Sequence, residues 1–194
     1  SGNYDPGGAV SIIDGDTIGA FALYTNNGIT TQEGMFCGIS VLSGNAHIGT
    51  VTGNTIGSTT GNNFIYVTTN NVSGSGSVVG IYANSEGDVE IQKNIIGSIT
   101  ASGTTDTKAA GVTGISAEGS ANYSIRNNFI GNASAGNIRG GLTRIGINLS
   151  SLGSLDSTSG TAKFNGIVCK STGNAVMITG NTLRGWSTSS AHAP

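Results

Sequence analysis

Three carboxylates stand at alternate positions in the segment SEGDVEIQK: Glu86, Asp88 and Glu90. Alternate residues of a β-strand share a face, so on a strand these three point one way while Val89 and Ile91 point the other. Lys93 follows within the same segment, and Arg126 stands in the next one of similar wording. Carboxylates beside a base on a strand surface are the groups needed to hold a cation, or to grip sugar hydroxyls and move a proton at a glycosidic bond. Glu86, Asp88, Glu90, Lys93 and Arg126 are therefore the candidate cation or sugar face. The matching positions of the next segment hold Ser120, Asn122 and Ser124, so no second row of acids stands beside the first. That favours a solvated outer face with cross-strand pairs over a catalytic cluster, and no catalytic residue is assigned.

The remaining chemistry-bearing residues are sparse. His47 falls in GNAHIG, read as a turn, and His192 in the tail, with no second ligand at zinc spacing. Asp14-Gly15-Asp16 echoes a calcium loop but lacks its distal glutamate. The glycines precede no helix and so form no phosphate loop. No metal and no cofactor are expected. Cys37 and Cys169 are placed about three repeats apart, roughly 14 Å at strand spacing, too far for a disulfide. Both are read as buried thiols.

The net charge is −2, with no cluster of Lys or Arg, which excludes a basic nucleic-acid face. No apolar run reaches the length of about 20 residues that a spanning helix needs. Only 9% of the residues are charged, while 33 are Gly and 2 are Pro. Such a composition could mark disorder, but disorder carries no positional register, and this chain has one.

The register is a phrase written five times: IIDGDTIG, VTGNTIG, IQKNIIG, IRNNFIG and ITGNTLRG. Its polar position is Asp16, Asn54, Asn94, Asn128 and Asn181, at intervals of 38, 40, 34 and 53 residues. A fixed phrase with elastic spacing is the mark of a solenoid. The apolar positions around it predict two inward columns, Ile13, Val51, Ile91, Ile125 and Ile178, and Ile18, Ile56, Ile96, Ile130 and Leu183. A second phrase, Gly-Ile-x-apolar, begins at Gly38, Gly80, Gly114 and Gly166 and predicts a third, Ile39, Ile81, Ile115 and Ile167. This gives about three short strands per turn of chain. The polar residue is expected at a corner, where Asn tolerates left-handed backbone and can form an amide ladder along the axis. FALY, FIYV and RIGINL are read as extra strand segments forming side extensions or a longer wall. The position after each corner reads Thr17, Thr55, Ile95, Phe129 and Thr182. The two apolar residues interrupt any flat threonine array, and ice binding is not expected.

The repeat resembles that of right-handed parallel β-helices of the pectate-lyase-like class. The wording GNTIGSTTGNN, VVGIYANSEGDVEIQKNIIGS and GVTGISAEG resembles, more narrowly, β-helix tracts in very large surface proteins of Bacteroidota. That resemblance implies export by the type 9 secretion system and a place in gliding-motility adhesins or other surface filaments. It also makes Asp16-Thr17-Ile18 and Asp156-Ser157-Thr158 similar to an O-glycosylation signal, with Thr17 and Ser157 as acceptors. Asn71, Asn122, Asn132 and Asn148 begin Asn-x-Ser sequons.

The expectation is an all-β, right-handed parallel β-helix of about five rungs with irregular loop insertions. Residues 1–194 are read as one domain, a segment of a longer repeat protein. Its function would be non-enzymatic: a rigid rod on an extracellular cell surface that presents variable loops. Its partners would be neighbouring repeats of the same chain, other chains of a surface assembly, or surface polysaccharide, with no nucleic acid and no membrane insertion. The alternatives are a carbohydrate-active β-helix enzyme or carbohydrate-binding module, and a phage tail-spike domain.

Overall fold

A computed structural model describes residues 8–25, 34–61, 64–69, 77–103, 110–133, 136–142 and 164–188. These form nineteen strands and, among the described residues, no helix. The chain visits four parallel sheets, A to D, in a fixed order. The first pass is β1 (Ser11–Ile13), β2 (Thr17–Ile18), β3 (Phe21–Thr25) and β4 (Phe36–Val41). The second is β5 (Ala46–Ile48), β6 (Thr55–Gly57), β7 (Ile65–Thr69) and β8 (Ser77–Ser85). The third is β9 (Asp88–Gln92), β10 (Ile95–Gly97), β11 (Ile99–Gly103) and β12 (Gly111–Gly119). The fourth is β13 (Asn122–Arg126), β14 (Phe129–Gly131), β15 (Ile138–Leu142) and β16 (Phe164–Cys169). A last set, β17 (Val176–Thr179), β18 (Thr182–Arg184) and β19 (Trp186–Thr188), extends sheets A, B and C. Stacked parallel strands of this kind are those of a β-solenoid.

Each pass thus has four strands, where the sequence reading counts about three. FALY lies in β3 and the IYV of FIYV in β7, regular members of sheet C; of the two alternatives they form the longer wall and not side extensions. They place a fourth inward column, Phe21, Ile65, Ile99, Ile138 and Trp186, in mutual register. RIGINL lies outside the described residues. The second and third columns stand as expected.

The first column needs one correction. Ile13, Ile48, Ile91, Ile125 and Ile178 are in register, and Val51 is not among them. Val51 is 73% exposed, whereas Ile48 is fully buried. The segment between Ile48 and Asn54 is longer than its counterparts and bulges out as a loop. The Asp14 carboxylate holds this loop by accepting the N–H groups of Thr52 (2.9 Å), Gly53 (3.1 Å) and Val51 (3.3 Å). Lys93 Nζ donates to the carbonyls of Thr50 and Val51, both at 3.0 Å.

The Gly-Ile phrase has a steric cause. A Cβ on Gly80 would lie 2.6 Å from the Gly114 carbonyl oxygen and 2.8 Å from Cγ2 of Ile96. Gly38 stands in the same relation to Ile56, and Gly114 to Ile130. Sheet D crosses the core close to the isoleucines of sheet B, and only a residue without a side chain fits between them.

The asparagine ladder is present. Asn54 donates through Nδ2 to Asn94 Oδ1 (2.9 Å), Asn94 to Asn128 Oδ1 (3.0 Å) and Asn128 to Asn181 Oδ1 (2.9 Å). Each acceptor oxygen also takes the backbone N–H of the preceding ladder residue, beginning with Asp16 N–H to Asn54 Oδ1 at 3.0 Å. The second amide proton of each side chain bonds a carbonyl one pass back: Asn54 to Ile13, Asn94 to Ile48, Asn128 to Ile91 and Asn181 to Ile125. The expected left-handed backbone falls one residue earlier. Gly15, Gly53, Lys93, Asn127 and Gly180 carry φ of 55–89°, and the ladder residues do not. Asn is therefore selected here for its amide and not for its tolerance of positive φ.

Candidate functional site

Alternation along the strands sends every second residue outward. On sheets C and D those residues are covered in the middle strands: Tyr66, Thr68, Thr100, Ser102, Tyr82 and Ser116 are all buried. Sheets A and B keep accessible outer faces, so a site reachable by a ligand belongs there.

On sheet A the register sets Ile12, His47, Glu90, Ser124 and Met177 side by side as one outward row. Asp88 and Asn122 form a second row beside it. His47, Glu90, Ser124 and Met177 of the first row and both residues of the second line an open groove of about 680 Å3. The side chains are partly pre-oriented. Asn122 Nδ2 donates to Asp88 Oδ1 (2.9 Å), and Gln92 Nε2 donates to Glu90 Oε2 (2.6 Å). Beneath the groove Tyr123 is buried, and its hydroxyl faces the carbonyls of Glu118 (2.7 Å) and Ala83 (3.0 Å). Burial, above all, pushes its pKa up to about 12, so this phenol stays protonated at neutral pH.

The five candidate residues are thus divided. Asp88 and Glu90 share the groove, with Val89 and Ile91 buried behind them. Glu86 precedes β9 in a bend and is half-buried. Lys93 is turned away to the 49–53 loop and stands over no carboxylate of this face. Arg126 lies in a third row, in register with Gln92 and Thr179. In place of these the groove gains His47. This residue lies in the middle of β5 and in direct register with Glu90, and not in a turn. The Ala46-His47-Ile48 alternation was the signal for this; the flanking Gly and Asn masked it. Among the described residues no group of three or more His, Cys, Asp or Glu is arranged to hold a metal ion.

On sheet B the outward column is Thr17, Thr55, Ile95, Phe129 and Thr182, in register. Ile95 and Phe129 are half-buried, and the Arg184 guanidinium lies 5.0 Å from the centre of the Phe129 ring, in cation–π range. Thr17 is exposed and open to modification, whereas Ser157 lies outside the described residues. Of the sequon asparagines, Asn132 is buried and donates to the Thr59 carbonyl, and Asn122 is tied to Asp88; Asn71 and Asn148 lie outside the described residues. Cys37 and Cys169 are unbridged as expected, but half-buried where full burial was expected. Cys169 continues the Val41, Ala83, Ala117 column.

No protein family, curated protein or solved structure matches the chain in comparisons of sequence and fold.

Proposed function

We propose that this chain is a segment of a right-handed parallel β-helix of about five rungs, and that residues 1–194 act as one domain within a longer repeat protein. Its work is mechanical: a stiff, non-enzymatic rod of an extracellular adhesin or surface filament, which holds variable loops away from the cell. The observation that supports this reading is the unbroken ladder from Asp16 to Asn181, with every oxygen and amide proton of Asn94 and Asn128 in use. Right-handedness is what parallel crossovers between twisted strands favour. The wording of the repeats supports type 9 secretion and a place among gliding-motility adhesins, with Thr17 and Ser157 as glycan acceptors. Antibody against the chain should label intact cells of the source organism. Labelling only after lysis would overturn the surface assignment.

The sheet A groove favours a second reading, a carbohydrate-binding or carbohydrate-active β-helix. Asp88 and Glu90 each accept one amide donor and keep a further oxygen for sugar hydroxyls, and His47 adds an imidazole beside them. The first reading is preferred because the acids meet only Asn122 and Ser124 on the neighbouring strand.

A further inference from the structure

The regularity of the repeat makes its exceptions visible. On the outer face of sheet B the residue after each corner is Thr in three passes, Thr17, Thr55 and Thr182, but Ile95 and Phe129 in the other two. The residue that closes the phrase is Gly19, Gly57, Gly97 and Gly131 in four passes, but Arg184 in the last, in register with Gly131. Neither departure serves the coil, since Thr fills the first position and Gly the second wherever the repeat is kept. The fold brings all three exceptions together. Ile95, Phe129 and Arg184 line one open cavity of about 410 Å3 with Thr59, Asn132 and Ala133. Asn132 is held there by its bond to the Thr59 carbonyl (2.6 Å). Arg184 is exposed and rests at 5.0 Å from the centre of the Phe129 ring. Among the described residues no carboxylate lines the cavity, and none pairs with Arg184. The cavity opens sideways across the second to last passes. Strands added before β2 or after β18 would lengthen sheet B without lying over this face.

We propose that this cavity binds an acidic sugar unit, with the sugar carboxylate on Arg184. A planar guanidinium fork matches a planar carboxylate, and the ring of Phe129 supports it from one side. A pyranose has an apolar C–H face bounded by hydroxyls. The wall offers the complement, an apolar pair with Thr55 and Thr182 on either side of it in the same column. One cation in one cavity suits one carboxylate per bound unit. An acidic peptide would seek a strand edge for its backbone groups, and this cavity lies in the middle of a sheet whose backbone is already paired. The proposal goes beyond the rod reading and uses a face other than the sheet A groove. Its failure leaves both of those readings standing, and it survives the failure of either.

Titration calorimetry of the full 194-residue chain with oligoglucuronate should give binding. The same oligosaccharide with its carboxyls reduced to alcohols should give none. Arg184→Gln, at an exposed position, should weaken binding at least about tenfold, as expected when a charge-assisted pair is removed. Phe129→Thr restores the residue that three other passes carry and should lose as much, with the circular dichroism of the native chain retained. Absence of binding by the native chain overturns the proposal, and so does binding indifferent to Arg184→Gln. Equal affinity for oligoglutamate would overturn it in favour of an acidic peptide. Loss of binding in Glu90→Gln but not in Arg184→Gln would overturn it in favour of the sheet A groove.

Discussion

Asn94 is fully buried, and its amide makes four hydrogen bonds: its oxygen receives the N–H and Nδ2 of Asn54, and its nitrogen gives to Asn128 and Ile48. No other side chain of that size offers two donors and a doubly accepting oxygen at the same point. Asn94→Ala should therefore cost about 1–3 kcal/mol in equilibrium unfolding, because the partners above and below lose their bonds inside the stack. Asn94→Asp should cost at least as much, since it keeps the oxygen but removes both donors. Asp14 carries a different residue-scale prediction. Its carboxyl is held below the ordinary range, first by the Thr52 N–H, against the opposing effect of burial. A group lowered in the folded state adds stability above its unfolded value, about 3.9 for Asp, and loses it as pH falls through the lower folded value. The protection of the Val51, Thr52 and Gly53 amides, measured against the intrinsic exchange rate at each pH, should fall as the solution is acidified through that window. Asp14→Asn should show fast exchange already at neutral pH.

At the scale of the strand, each inward residue is shared by the layers on either side. Ile125 is fully buried between Ile91 and Ile178. Truncation to Ala should cost about 2–5 kcal/mol, the range for deleting buried aliphatic carbons without full collapse of the cavity. Gly80→Ala is the opposite experiment: one added carbon in a space already closed by Gly114 and Ile96 should cost about 1–3 kcal/mol through overpacking. Thermal or urea unfolding checks both, and indifference to Ile125→Ala would remove this residue from the core.

The same scale shows how much the sequence gives away. The Ile and Asn positions are legible because they recur in every pass at fixed local spacing, and the strands stack in the register that this spacing implies. Val51 misleads because VTGN reproduces the spacing of IQKN, while the strand it imitates ends earlier, at Ile48. The inserted loop is visible only through Asp14 and Lys93, which grip it from other passes. The fourth sheet is hard to read because its inward column mixes Phe21, Ile65, Ile99, Ile138 and Trp186 and follows no repeated phrase. His47 enters the groove by pairing with Glu90 across 43 residues, a neighbour that no local pattern announces. Lys93 leaves it for the carbonyls of a loop that the repeat does not contain.

For the whole molecule, the four-sheet coil buries the outer faces of the middle strands of sheets C and D and leaves sheets A and B open. One open face carries acids beside an imidazole, and the other carries threonines around a half-buried apolar pair. A rod needs its interior ladder and columns and makes no chemical demand on the groove; an enzyme needs the groove to move protons. A structural segment without turnover should therefore leave that groove chemically silent. The purified chain should be incubated with polygalacturonate, alginate and other uronic-acid polymers, with and without Ca2+, and followed for new reducing ends and for the absorbance of unsaturated products. No turnover is expected under any of these conditions, and equally none for Glu90→Gln. Product formation by the native chain that Glu90→Gln abolishes would overturn the structural role and make the sheet A groove an active site.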